Sequence, residues 1–145
     1  VAELKNLPEV LAKLKASGKM AEAGSLAGVQ ALAIEFESRV KRNLFQVQND
    51  GVFHIGEHGD FPNRRTGNLA NSFRRDVREG FGDYIASVYP TAVYSRVLEL
   101  GGGSNWRGEP WGSEVKYPYM SPTYEQLRPD ADRIFTNAVK RFWKV

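Results

Sequence analysis

The chain has 145 residues, 41% of them hydrophobic and 12% aromatic, with a formal charge of +3. That is the size of one domain, with enough apolar content for a core, and it argues against global disorder. The lack of cysteine excludes disulfide scaffolds, thiolate metal sites and cysteine nucleophiles; no apolar run approaches the roughly 18 residues of a membrane span, and the opening VAELKNLPEV lacks the apolar stretch of a secretory signal.

Asn6 and Glu9 have capping-box spacing, with Pro8 in the first turn, where proline is tolerated. Leu7, Val10, Leu11 and Leu14 then fall at i, i+3, i+4 and i+7. This predicts a short amphipathic helix over residues 1–18, terminated at Gly18. Leu26, Val29, Ala33, Phe36, Val40 and Leu44 recur every three or four residues and predict a second, longer helix over 20–46. Gly24 and Gly28 weaken its start, each by about 1 kcal/mol relative to alanine. Phe36 is expected to pack against the sheet and the last helix.

Residues 48–65 carry glycines and a proline without a sustained period, so a long loop is expected there, with a short strand near Val52 to Ile55. Thr66 is placed to cap a short helix carrying Leu69 and Phe73. Residues 74–79 and 83–89 read as strands of a hairpin turning at Gly80-Phe81-Gly82. Thr91 is placed to cap a further short helix through Val97 and Leu100; an alternating strand fits the segment almost as well, and Gly101 at the C-cap position favours the helix. A Gly/Trp loop follows at 101–113, and a third strand is expected over 115–119. Leu127, Ala131, Ile134, Phe135, Ala138 and Phe142 mark a helix over 120–145, kinked or restarted at Pro129. The expectation is a single α+β domain spanning 1–145. A long N-terminal helix and a C-terminal helix pack on a small antiparallel sheet, formed with a short helix within 66–119.

His54-Ile55-Gly56-Glu57-His58 has the H-x-x-E-H spacing of one zinc-protease class. That chemistry requires both histidines on one helical turn. Gly51, Gly56 and Gly59 surround the motif, so exposed loop histidines are the preferred reading and no metal is assigned. Asp60, Asp76, Glu79, Asp83, Glu99 and Glu109 are scattered, and Ser72, Ser87 and Ser95 lack a nucleophile elbow. The expectation is therefore no catalytic residue, no cofactor and no enzyme. Arg64, Arg65, Arg74, Arg75 and Arg78 form a basic set opposed within it only by Asp76. Gathered on one surface, they would contact phosphates and make the chain a nucleic-acid-binding module, the alternative function. A solvated face, or salt bridges between subunits, is the plainer reading. Trp106 and Trp111 flank Arg107 in the glycine-rich loop; they either fold onto the core or anchor a partner, since both residue types are enriched at interface hot spots. With Phe53 and Phe61 they are the candidate subunit or partner interface.

Four stretches in order carry a resemblance: Pro62 to Ser72 with Thr66-Gly67-Asn68-Leu69, the hairpin, Tyr94 to Gly101 with Glu99, and Pro118-Tyr119-Met120-Ser121-Pro122 before the last helix. Together they resemble the head–tail joining, or tail-completion, proteins of long-tailed bacteriophages, over about residues 20–143. Those proteins carry P-x-x-T-G-x-L-x-x-S, then Tyr-x-x-x-x-Glu-x-Gly, then P-F-x-x-P. Here Arg64-Arg65 lengthens the first stretch by one residue, and Tyr119 stands where phenylalanine is usual. The resemblance implies a structural virion protein of the neck, made in the host cytoplasm. It implies a homo-oligomeric ring, six subunits by analogy, between the head-side connector and the tail-side terminator or tube. Such a ring surrounds the DNA channel, where the arginines would make non-specific contacts, and it has no membrane partner.

Overall fold

The computed structural model describes residues 7–46, 67–80, 82–103, 108–110, 116–141 and 143. It is α+β, as the sequence pattern predicts. Helix α1 spans Leu7–Gln46, α2 Asn68–Asn71, β1 Phe73–Glu79, β2 Tyr84–Pro90, α3 Ser95–Leu100 and α4 Met120–Leu127. A 3₁₀ turn over Arg128–Asp130 leads into α5, Ala131–Lys140.

The two expected N-terminal helices are one. Helix α1 runs for 40 residues straight through Gly18, a span of about 60 Å. Nothing lies within 4 Å of a β-carbon built at Gly18, and its flanks, Lys15-Ala16-Ser17 and Lys19-Met20-Ala21, keep the helix going. One glycine costs about 1 kcal/mol of propensity, too little to end a helix that carries no proline and no turn signal there. Asn6, the expected cap, lies outside the described residues.

The C-terminal segment folds back along α1. Asn43 donates to Thr123 Oγ1 and Gln126 Oε1, both at 2.9 Å. Arg39 reaches the Gln126 carbonyl and the Asp130 carboxylate, each at 2.7 Å. Further along, the Phe135 ring lies on Gly28, and Val139 lies on Gly24. The pairs 43/123, 39/130, 28/135 and 24/139 define an antiparallel seam. Gly24 and Gly28 therefore serve packing, since a β-carbon at Gly28 would overlap the Phe135 ring. Pro129 sits in the 3₁₀ turn, where its missing N–H is cheapest to lose, so the chain restarts there as α5.

The sheet is a two-stranded antiparallel hairpin with register Phe73↔Pro90 through Glu79↔Tyr84. Gly80 N–H donates to the Asp83 carbonyl at 2.6 Å and closes it. No third strand forms among the described residues: Tyr117 N–H instead donates to the Leu98 carbonyl at 2.8 Å, tying that segment to α3. Thr91 does not cap α3. Its N–H and hydroxyl both donate to the Ser72 carbonyl, at 3.0 and 2.9 Å, and the α3 cap position is Tyr94. Likewise α2 starts after Gly67 without a side-chain cap; Thr66 and the stretch from Val52 to Ile55 lie outside the described residues.

The core sits at the C-terminal half of α1. Val40, Leu44, Ala70, Phe73 and Tyr119 are buried together, with Phe36, Leu69, Val88, Leu98 and Met120 packed around them. Residues 7–22 of α1, by contrast, are exposed throughout. The helix thus projects about 24 Å beyond the body.

Candidate functional site

Two sequence stretches that stand apart in the chain, Tyr94 to Gly101 and Pro118 to Pro122, meet at one carboxylate. Helix α3 ends with Gly101 N–H donating to the Val97 carbonyl at 2.8 Å. Gly101 there has φ 75°, and Gly67 before α2 has φ 76°; both are left-handed conformations that glycine adopts without steric cost. Two residues before Gly101, Glu99 points at the start of α4. Its Oε2 accepts from Tyr119 N–H at 2.8 Å and Met120 N–H at 2.9 Å. Its Oε1 accepts from Ser121 N–H at 2.9 Å and from the Ser121 hydroxyl.

This contact resolves a local deficit. The first N–H groups of a helix have no partner within it, and α4 has no side-chain cap of its own. Pro122 carries no N–H, so the unpaired donors of the first turn are those that Glu99 takes. A negative charge at a helix N-terminus is also favoured by the aligned peptide dipoles. Burial pushes the Glu99 carboxyl up, but the Ser121 hydroxyl and the three backbone N–H groups outweigh it and hold the group below its ordinary 4.5.

Tyr119 completes the node. Its ring is buried and meets Phe73 edge-on, at 6.1 Å and 85°. Its hydroxyl donates to the Ser95 carbonyl at 3.2 Å, and its own carbonyl accepts from Thr123 Oγ1 at 2.6 Å. Burial pushes the phenol up to about 12. Each group is spent on holding α3, α4 and β1 together. Among the described residues no buried side-chain polar atom lacks a partner and no cluster of metal-binding side chains occurs.

The candidate arginines divide. Arg74 and Arg78 lie on the outer face of β1, whereas Arg75, on the alternate face, pairs with Glu37 of α1 at 2.5 Å. Arg78 pairs with Asp76 at 2.5 Å, and Arg74 donates to the Phe73 carbonyl at 3.0 Å. Each of the three thus has a local partner, and Arg74 and Arg75 border one concavity that Glu37 shares. Arg64, Arg65, Phe53, Phe61, Trp106, Arg107 and Trp111 lie outside the described residues, as do His54, Glu57, His58 and Asp60. Nothing in the local sequence separates Glu99 from the other scattered carboxylates, or marks Arg39 and Asn43 as contacts; only the Glu99-Leu100-Gly101 stretch of the resemblance points to Glu99.

Among the described residues, two uncovered apolar surfaces combine several large side chains. Leu7, Val10, Leu11 and Leu14 on the projecting part of α1 are about half exposed or more. Between α1 and α4, Phe36, Met120, Ser121, Pro122, Tyr124 and Glu125 line an open concavity of about 460 Å³. No family model, no curated protein and no solved structure matches this chain.

Proposed function

We propose that this protein is a structural component of a bacteriophage neck, assembling as a ring that joins the head connector to the tail. The observation that carries this reading is the Glu99 node. The motifs behind the resemblance, Gly67 to Ser72, Tyr94 to Gly101 and Pro118 to Pro122, are spent on mutual hydrogen bonding and packing. That is what a scaffold requires, and it leaves none of them poised for chemistry. The three described arginines are each engaged locally, Arg75 by Glu37, Arg78 by Asp76 and Arg74 by the Phe73 carbonyl, which favours a structural role over phosphate contact.

The test is genetic and structural. A phage lacking this protein should accumulate filled heads and separate complete tails, and the purified chain should restore joining in a mixed lysate. Normal joined particles in its absence would end the proposal.

A further inference from the structure

The projecting part of α1 holds a line of large apolar side chains that its own body does not cover. Leu7, Val10, Leu11 and Leu14 lie at i, i+3, i+4 and i+7, and Leu14 is 63% exposed. Steps of three and four residues continue this line through Gly18, Ala21 and Ser25 to Gly28. There the same helix face is closed by Phe135 of α5. The seam is thus filled in its second half and open in its first.

The chain's own concavity cannot accept this arm. Phe36, on its wall, is 22 residues further along the same helix than Leu14, about 33 Å away along a straight axis. Any contact between the two surfaces therefore joins two molecules. They complement one another in chemistry. The concavity is walled by Phe36, Met120, Pro122 and Tyr124, and the charged residue among its described lining is Glu125. Glu125 stands 3.7 Å from Arg128, with both side chains more than 60% exposed, so it remains open to a cation. The arm offers apolar knobs flanked by Lys15 and Lys19, while Lys13 is tied to Glu9 at 3.0 Å.

We propose that the α1 arm of one copy docks, through Leu11 and Leu14, into the Phe36–Tyr124 concavity of the next copy, with its lysines beside Glu125. The two patches differ, so repeated head to tail the contact is heterologous and builds a closed ring, whereas reciprocal exchange of arms would stop at a linked dimer and overturn the ring contact. The mode is that of an amphipathic helix seated in an apolar groove. The inference rests on the ring reading above and supplies its subunit contact.

The natural chain has no cysteine, so engineered pairs report cleanly. The full-length protein carrying Leu14→Cys and Tyr124→Cys together should, under mild oxidation, give a ladder of linked dimers, trimers and higher species. Each single variant should give none. Leu11→Asp with Leu14→Asp should lower the oligomer's mass by sedimentation and weaken association at least tenfold. Melting of the body in dilute protein should be unchanged, because both positions lie outside the core, and circular dichroism should lose no more than the arm's own share of helix. A dimer from Leu14→Cys alone would mean that arms pair with each other and would overturn the proposal. So would an oligomer that survives the double aspartate variant without a ladder, though the ring reading would then stand on other contacts. A chain that stays monomeric at high concentration would overturn the arm contact, leaving the neck reading to be judged by particle joining.

Discussion

Glu99 shows how a single side chain can decide whether two elements dock. It accepts three backbone N–H groups and a hydroxyl from the start of α4. Hydrogen bonds to a charged group are worth about 1.5–3 kcal/mol each when buried, and the partial exposure of this site discounts them. Glu99→Ala should cost about 2 kcal/mol and Glu99→Gln about 1 kcal/mol in urea unfolding at neutral pH. The pH dependence has a fixed sign. The folded state holds Glu99 below its ordinary 4.5, so its contribution is complete above that value and is lost as pH falls through the lowered one. The stability gap between the native chain and Glu99→Gln should shrink on acidification below 4.5. Asp130 is also held low, by Arg133 and Arg39, and it titrates in both chains, so the difference isolates Glu99. A gap independent of pH would mean that the carboxylate is not the acceptor. Tyr119 makes a milder case: Tyr119→Phe removes only the bond to the Ser95 carbonyl and should cost about 1 kcal/mol. Tyr119→Ala empties a core position and should cost about 3–5 kcal/mol.

Among the elements, the seam between α1 and α5 depends on the absence of side chains. A β-carbon at Gly28 would strike the Phe135 ring, whereas one at Gly18 meets nothing within 4 Å. Gly28→Ala should therefore destabilise by about 1–3 kcal/mol through overpacking. Gly18→Ala should raise helix content by circular dichroism, with a local gain of about 1 kcal/mol from propensity. Equal effects at the two sites would contradict the seam. The same two glycines mark where the sequence was legible and where it was not. Periodicity placed α1, the hairpin and the Pro129 restart, because apolar spacing and turn residues are local signals. It broke α1 at Gly18 and treated Gly28 as a weakness, because a glycine's role is set by what approaches it from elsewhere in the chain. Phe36 lies on the packed face of α1 that its spacing predicts, at the rim of the concavity and not at the centre of the core. The Glu99 contact spans 20 residues of sequence, and no local pattern encodes such a distance. Thr91, read as a cap, spends its hydroxyl on Ser72 for the same reason.

At the level of the whole molecule, stability is distributed unevenly along one continuous helix. Val40 and Leu44 lie in the core with Phe73 and Tyr119, while residues 7–22 are all exposed. A helical segment of about 15 residues is marginal in water without packing. Local opening of the arm should therefore cost far less than global unfolding, even though the hydrogen-bonded ladder is unbroken. Hydrogen exchange on dilute protein measures this directly. Amides of residues 10–20 should exchange orders of magnitude faster than those of 37–44, which should follow the global unfolding free energy. The protection should fall off near Gly24 and Gly28, where Val139 and Phe135 stop covering the helix. Concentration then separates an idle extension from a working one. If the arm docks on a neighbouring copy, its amides should gain protection as the protein assembles, and Leu11→Asp with Leu14→Asp should remove that gain without altering residues 37–44. Uniform slow exchange from residue 10 to residue 44 in the dilute chain would show that the arm is already covered, and the account of an unpartnered projection would fail.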